Sequence, residues 1–334
     1  MNKILITGTA GFIGFHLAKL LLKHGFQVYG YDGITDYYDV KLKKNRHSIL
    51  SENQNFYKTE GMLEDIDKLN SISSEFKPSV IVHLAAQAGV RYSLDNPRSY
   101  INSNIIGTFN VMEIARKQKV KHLLMASTSS VYGANTNMPF RENQKSDSQL
   151  TIYAATKKSN ESMAHSYAYL WEIPITVFRF FTVYGPWGRP DMALFKFVNA
   201  ILNDKPIDIY NNGNMYRDFT YIDDIVNSIK SLIEKPPSVL DDNSQKNSHS
   251  AVAPFRLINI GNSKKIKLLD FIDEIEIILK KKAIRNYLPM QLGDVSSTWA
   301  DVSALKKLIN FTPSTDFKDG VKNFIKWYKE YYNV

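Results

Sequence analysis

Short apolar runs alternate with longer amphipathic stretches through the first 180 residues of the chain. Lys3-Ile4-Leu5-Ile6-Thr7, Gln27-Val28-Tyr29-Gly30-Tyr31, Val80-Ile81-Val82-His83-Leu84, His122 to Ala126 and Ile175 to Phe180 are each five or six residues long. Runs of that length, bounded by punctuators such as Pro78 and Pro174, read as buried strands. Between them, Phe15 to His24, Asn104 to Lys117 and Ile152 to Trp171 carry apolar residues at helical spacing. Gly25 closes the first of these helices in the C′ manner. Repeated strand–helix units predict a parallel sheet with helices on both faces, a doubly wound α/β fold. Ligands in such sheets bind at the carboxyl ends of the strands. Gly8, Ala85, Thr128 and Thr182 all fall just past predicted strand ends and are expected to meet in one crevice.

The first strand runs into Gly8-Thr9-Ala10-Gly11-Phe12-Ile13-Gly14, then a helix, then a second strand that stops at Asp32. That order is the order of a dinucleotide-binding unit. Its glycines permit a tight turn and close approach of backbone to a pyrophosphate at the helix N-terminus. Asp32 is placed to accept from the adenosine ribose hydroxyls, and its charge repels a 2′-phosphate, which favours NAD over NADP. The spacing is GxxGxxG rather than GxGxxG. We therefore expect a Rossmann-type domain over residues 1–183, joined by parts of 217–262. After Tyr184-Gly185-Pro186 the pattern turns irregular, and 184–334 is expected to form mainly a smaller substrate-binding lobe. Within it, 236–254 is polar and rich in Ser, Asn and Asp, and reads as a surface loop or a partly disordered insertion.

Composition narrows the function classes. At 334 residues, 44% of them hydrophobic, the chain suits one large α/β domain with a lobe, or two domains. It contains no cysteine, which excludes disulfides, thiolate catalysis and thiolate zinc sites. No signal peptide is visible, and no apolar run is long enough to span a bilayer, so a cytoplasmic protein with no membrane partner is expected. The net charge is +9, from 42 Lys and Arg against 33 Asp and Glu. The lysines are scattered rather than gathered on an aromatic-lined face, which argues against nucleic acid. The excess also suits an anionic small-molecule substrate.

The candidate chemistry lies in Ser127-Thr128-Ser129-Ser130 and in Tyr153-Ala154-Ala155-Thr156-Lys157. Tyrosine and lysine four apart share one helix face. An ammonium beside a phenol favours the phenolate, which makes a base usable near neutral pH. The upstream hydroxyls are placed to hydrogen-bond the same substrate oxygen. His83 reads as a satisfied core histidine, Trp187 as filler between lobes, and Tyr167, Tyr169 and Trp171 as packing. Arg91 reads equally as a ligand group or a surface ion pair.

Glycine turn, hydroxyl cluster and YxxxK in this order make the chain resemble the extended short-chain dehydrogenase/reductase family, the nucleotide-sugar epimerases and dehydratases. The resemblance covers nearly the whole chain and is closest to the UDP-glucuronate 4-epimerases. It is carried by His83 to Ser93, by Phe180 to Met192, by Arg217-Asp218-Phe219-Thr220-Tyr221-Ile222-Asp223-Asp224 and by Gly293-Asp294-Val295. It implies that NAD is held by Gly8, Gly11, Phe12, Ile13, Gly14, Asp32, Leu63, Leu84, Ala85, Ala86, Ser103 and Phe181, together with Tyr153 and Lys157. It implies that Tyr153 takes the proton of the sugar 4-hydroxyl while C4 gives a hydride to NAD, that Lys157 lowers the tyrosine pKa, and that Thr128 bonds the reacting oxygen. The 4-keto sugar then turns over and the hydride returns to its other face. Arg217 resembles the family's diphosphate ligand, Asp294 its nucleotide ribose ligand, and Asp208 and Tyr210 its uracil contacts. A homodimer through the Tyr153 helix and the 104–117 helix is implied as well. The chain departs at Met62, where the family commonly has an aspartate for the adenine amino group.

In the 4,6-dehydratases the two positions after the threonine carry Asp and Glu, and the decarboxylases put Glu at the second. Here they are Ser129 and Ser130, which serve neither as acid nor as base for elimination. A ring of Thr128, Ser129, Ser130 and Thr182 is suited to cradle a C5 carboxylate, and Arg189 to pair with it bidentately. The expected activity is NAD-dependent 4-epimerisation of UDP-glucuronate to UDP-galacturonate, the product feeding a surface polysaccharide. A neutral UDP-hexose epimerase and a non-catalytic NAD-binding scaffold are the alternatives.

Overall fold

The structure, a computed structural model, describes residues 2–239 and 248–334. Residues 240–247, the middle of the expected polar loop, lie outside it. Fourteen strands occur among the described residues: β1 (Lys3–Thr7), β2 (Gln27–Asp32), β3 (Phe56–Glu60), β4 (Val80–His83), β5 (His122–Thr128), β6 (Ile175–Phe180), β7 (Thr182–Tyr184), β8 (Pro206–Ile209), β9 (Tyr216–Arg217), β10 (Phe219–Tyr221), β11 (Phe255–Ile260), β12 (Ile266–Lys267), β13 (Ile284–Tyr287) and β14 (Ser297–Thr298). The α-helices are α1 (Phe12–Lys23), α2 (Val40–Ser51), α3 (Ile66–Phe76), α4 (Tyr92–Asp95), α5 (Pro97–Tyr100), α6 (Gly107–Gln118), α7 (Ile152–Trp171), α8 (Ala193–Leu202), α9 (Ile222–Ile233), α10 (Leu268–Leu279), α11 (Ser303–Ile309) and α12 (Phe317–Tyr332).

Seven strands form one sheet in the order β11-β6-β5-β4-β1-β2-β3, every pair parallel. Strand side chains alternate between faces, and the buried residues divide accordingly. Ile4, Ile6, Val80, Val82 and Leu124 join a cluster with α1 and α9, while Leu5, Ile81, Leu123 and Met125 join a second with α3, α6 and α7. Burial on both sides explains why these strands read as continuous apolar runs. The sheet extends outward from β1 in two directions, through β2 on one side and β4 on the other. Their carboxyl ends therefore diverge around the crevice where a ligand binds. The remaining strands make small sheets of two or three. Among these, β8 with β13 and β9 with β12 and β14 gather chain from 206–217 and 266–298 beside the crevice.

Strand β5 runs two residues beyond the expected Ala126, so that Thr128 ends the strand, and two helix starts also differ from the sequence reading. Helix α1 starts at Phe12, three residues before the expected Phe15, because Gly11 serves as N-cap with its side chain absent from capping. The stretch expected as helix from Asn104 is wound more widely over Ile101–Ile106, as a π-type turn, and α6 proper begins at Gly107. The wide turn presents the Asn104 side chain, which donates to the Gln87 carbonyl and the Thr156 hydroxyl and accepts from the Gln87 amide. Such single wide turns recur where a helix is bent to serve a site.

Candidate active site

The turn between β1 and α1 shapes the floor of the crevice. Gly8 has φ +88°, and a Cβ there would lie 2.8 Å from the Ala85 nitrogen. Only glycine lets the turn pass so close to the end of β4. With no side chain capping α1, its first amides face the crevice, where the helix dipole favours an anion. Asp32, at the end of β2, accepts from the amides of Ala10 at 2.8 Å and Ile34 at 2.9 Å. Those bonds fix the carboxylate beside the glycine turn.

Gly8, Gly11, Phe12, Ile13, Gly14, Asp32, Leu63, Leu84, Ala85, Ala86, Ser103 and Phe181 all line one cleft, together with Thr128, Tyr153, Lys157 and Arg189. Met62 lines it too, half exposed, with its carbonyl accepting from Tyr31. Thr151 caps α7 by accepting from the Ala154 amide, which aims the first turn of that helix, and Tyr153 with it, at the cleft. The Thr128 hydroxyl accepts from the Ser130 amide at 3.2 Å and donates to the Ser130 hydroxyl at 3.3 Å. Ser129 and Ser130 open a short 3₁₀ turn directly behind it. Thr182 lies half-buried on β7, its amide bonded to the Asp218 carbonyl.

The electrostatics of the Tyr153 phenol differ from the simple lysine–tyrosine picture. Burial pushes its pKa up, and the forces opposing burial are the charge of Arg189 and a hydrogen bond with Thr128. Lys157 is committed elsewhere: its ammonium donates to the Ala126 carbonyl at 3.0 Å, and burial lowers its pKa to about 8. Arg189 thus adds its charge to that of the lysine expected from the helix spacing.

A second cluster forms beside the cleft. Arg217 pairs with Asp294 at 2.8 Å, Arg91 approaches the other oxygen of Asp294 at 3.8 Å, and the Arg91 guanidinium lies 4.4 Å from the centre of the Tyr210 ring. Asp208 accepts from Asn286 at 2.8 Å across the β8–β13 pair. Arg91, read from sequence as ligand or ion pair, is here an ion pair within that cluster. His83 is the satisfied core histidine expected: it bonds Thr7 at 2.8 Å and Thr108 at 3.0 Å, and burial lowers its pKa to about 3.

Sequence reasoning missed Tyr37, Tyr38, Lys43 and Gln87, which also line the cleft. The signal was there in Asp36-Tyr37-Tyr38-Asp39, an aromatic pair close after the end of β2.

The family model described as GDP-mannose 4,6 dehydratase matches residues 5–324. The chain belongs to this family of extended short-chain dehydrogenases/reductases. A probable UDP-glucuronate 4-epimerase of Rhizobium meliloti is 52% identical over 333 residues, covering 99% of this chain and 98% of its own. UDP-glucuronate 4-epimerase 2 of Arabidopsis thaliana is 40% identical, covering 98% of this chain and 76% of its own. Among solved structures, the UDP-glucuronic acid 4-epimerase of Bacillus cereus, in complex with UDP-glucuronic acid and NAD, is 34% identical with a TM-score of 0.88, covering 99% of this chain and 100% of that one. The family's name is that of a dehydratase, whereas these relatives are named as epimerases. Positions 129 and 130 fit the second description, since neither carries a carboxylate.

Proposed function

We propose that the protein is an NAD-dependent UDP-glucuronate 4-epimerase that interconverts UDP-glucuronate and UDP-galacturonate. The observation that carries the proposal is Arg189, a guanidinium lining the cleft that also holds Tyr153 and Thr128; the two residues that follow Thr128 in the chain are serines and carry no carboxylate. A substrate carboxylate is the group such a cation is suited to receive.

The cleft fits NAD on its own chemistry. The uncapped amides of α1 suit a diphosphate, the fixed Asp32 suits the adenosine ribose, and the close approach of Gly8 to Ala85 leaves room for a dinucleotide along the strand ends. When bound there, NAD supplies the acceptor and donor of the hydrogen at sugar C4. The chain's own part is positioning and proton transfer. Tyr153 Oη takes the proton of the 4-hydroxyl and later returns it. Thr128 steadies that oxygen, and Ser129, Ser130, Thr182 and Arg189 hold the C5 carboxylate. Held so, the 4-keto acid intermediate is kept from losing carbon dioxide. Arg217, Asp294, Tyr210 and Asp208 hold the UDP portion.

The same reading makes the protein a cytoplasmic homodimer. No helix among the described residues is long and apolar enough to cross a membrane. Support for the dimer comes from α6 and α7, which meet through Phe109 and Tyr167. Together with the turn before α6 they leave Ile106, Phe109, Leu170 and Trp171 more than two-fifths exposed. A second copy would cover them.

Incubating the purified protein with UDP-glucuronate and separating the products tests the reaction. UDP-galacturonate with no net NADH supports it. UDP-pentose with carbon dioxide would overturn it, as would turnover of UDP-glucose alone.

A further inference from the structure

Arg189 is not a free side chain reaching into the cleft. Its Nε lies 3.0 Å from Asp191 Oδ1 and its Nη2 2.5 Å from Asp191 Oδ2, a bidentate pair two residues apart. Oδ2 of the same carboxylate accepts from the Tyr37 hydroxyl at 3.1 Å. Tyr37 lies in the turn after β2 and lines the same cleft. Its ring packs 4.8 Å from that of Tyr92. Gly89, at φ +104°, leaves the room its hydroxyl occupies.

The chain just before Arg189 is gripped from the same side. Arg46, fully buried, donates to the carbonyls of Trp187 at 2.6 Å and Ala10 at 2.7 Å. Residues 187–191 are thus held at both ends by the segment that follows β2, and through it by the glycine turn.

We propose that Tyr37 and Asp191 are positioning residues that hold Arg189 in the orientation that selects a uronate over a neutral sugar. This rests on the function proposed above. A guanidinium on a long flexible stem is a poor discriminator until its rotamer is fixed. Asp191 takes one edge of the five-donor fork and Tyr37 braces Asp191, which leaves the other edge of the fork unused by this pair. Asp191 has a second consequence. Its charge offsets that of Arg189, whose positive charge favours the Tyr153 phenolate.

The test uses the NAD-loaded protein and two readouts. The first is calorimetric binding of UDP-glucuronate and of UDP-glucose. In Tyr37→Phe, UDP-glucuronate should bind about fivefold more weakly while UDP-glucose is unchanged, the loss of one hydrogen bond to a charged pair. Placed on Arg189→Ala, the same change should add nothing, because Tyr37 acts through Arg189. The second is the pH profile of kcat/KM. In Asp191→Asn, the rising limb should move to lower pH, because Arg189 is no longer offset. Equal weakening of both sugars, an unchanged preference in Tyr37→Phe, additive loss on Arg189→Ala, or an unmoved limb overturns the proposal. If Asp191→Asn does not fold, Tyr37→Phe and the double variant decide. A wild type without preference for UDP-glucuronate sinks the functional reading and this inference together. A wild-type preference that Tyr37→Phe leaves intact sinks this inference alone.

Discussion

Glu161 lies one turn beyond Lys157 on α7 and accepts from Ser127, the neighbour of Thr128 on β5, at 2.7 Å. The same carboxylate takes Arg179 of β6 in a bidentate pair at 2.7 and 2.8 Å. Burial works against its charge, but Arg179, Lys158 and Ser127 together hold its pKa below the ordinary value. One carboxylate thereby ties the helix that carries the base to the strand that carries the hydroxyls.

That tie makes a stability prediction. Glu161→Ala leaves the Arg179 guanidinium, which is 0% exposed, without a counter-charge. Breaking a buried pair from one side costs about 3–5 kcal/mol. Ser127→Ala removes only a hydroxyl and should cost about 1 kcal/mol. Denaturant unfolding of both variants should show this ranking, and equal losses would count against it.

Tyr153→Phe should slow turnover of UDP-glucuronate by roughly a hundred- to ten-thousandfold, the range for removing a general acid–base group. Affinity for the UDP-sugar should stay close to wild type, because the Arg217–Asp294 cluster is untouched. Steady-state rates beside calorimetric binding separate the two.

Stability should depend on pH through two opposing sets of buried groups. Burial pushes the pKa values of His16, His83 and His122 down to about 3, so their contribution is present above pH 6.5 and lost as pH falls toward 3. Burial also pushes Glu142 up to about 7. Its contribution is full below pH 4.5 and lost as pH rises through 7. The three histidines act together in this window, so Tm should rise from pH 5 to 6.5. Glu142→Gln, which keeps an acceptor for the Asn259 amide, should match wild type at pH 4.5. Above pH 7 it should exceed wild type by up to about 3 kcal/mol. A variant that loses stability at every pH would show that the carboxylate matters for some other reason.

Phe109→Glu with Leu170→Glu should leave the fold intact and give a monomer by light scattering. Both side chains lie in the exposed apolar face of α6 and α7. A dimer that persists would place the interface elsewhere.

Much of this was legible in the sequence, for physical reasons that differ by element. Five of the seven sheet strands were readable because burial on both faces leaves almost no polar residue in runs such as Val80-Ile81-Val82, whereas the edge strands β3 and β11 were not read. Helix α7 was readable to the residue because Thr151 caps it and a left-handed Glu172 ends it. The wide turn at Ile101–Ile106 was not, because it comes from Asn104 bridging Gln87 and Thr156, partners far apart in sequence. The hold on Arg189 was hidden for the same reason, since Tyr37 lies 154 residues away. The spacing of Tyr153 and Lys157 showed that they share a helix face. It did not show that Lys157 would donate to the Ala126 carbonyl, or that Arg189 would bring a second charge to the phenol.

The central claim is epimerisation at C4 with hydrogen returned to the same carbon. The most direct test supplies UDP-glucuronate carrying deuterium at C4 to the NAD-loaded protein and reads the product by mass spectrometry. The account predicts UDP-galacturonate that keeps its deuterium, with no carbon dioxide and no accumulated NADH. Loss of the label to water, or a UDP-pentose product, would contradict it.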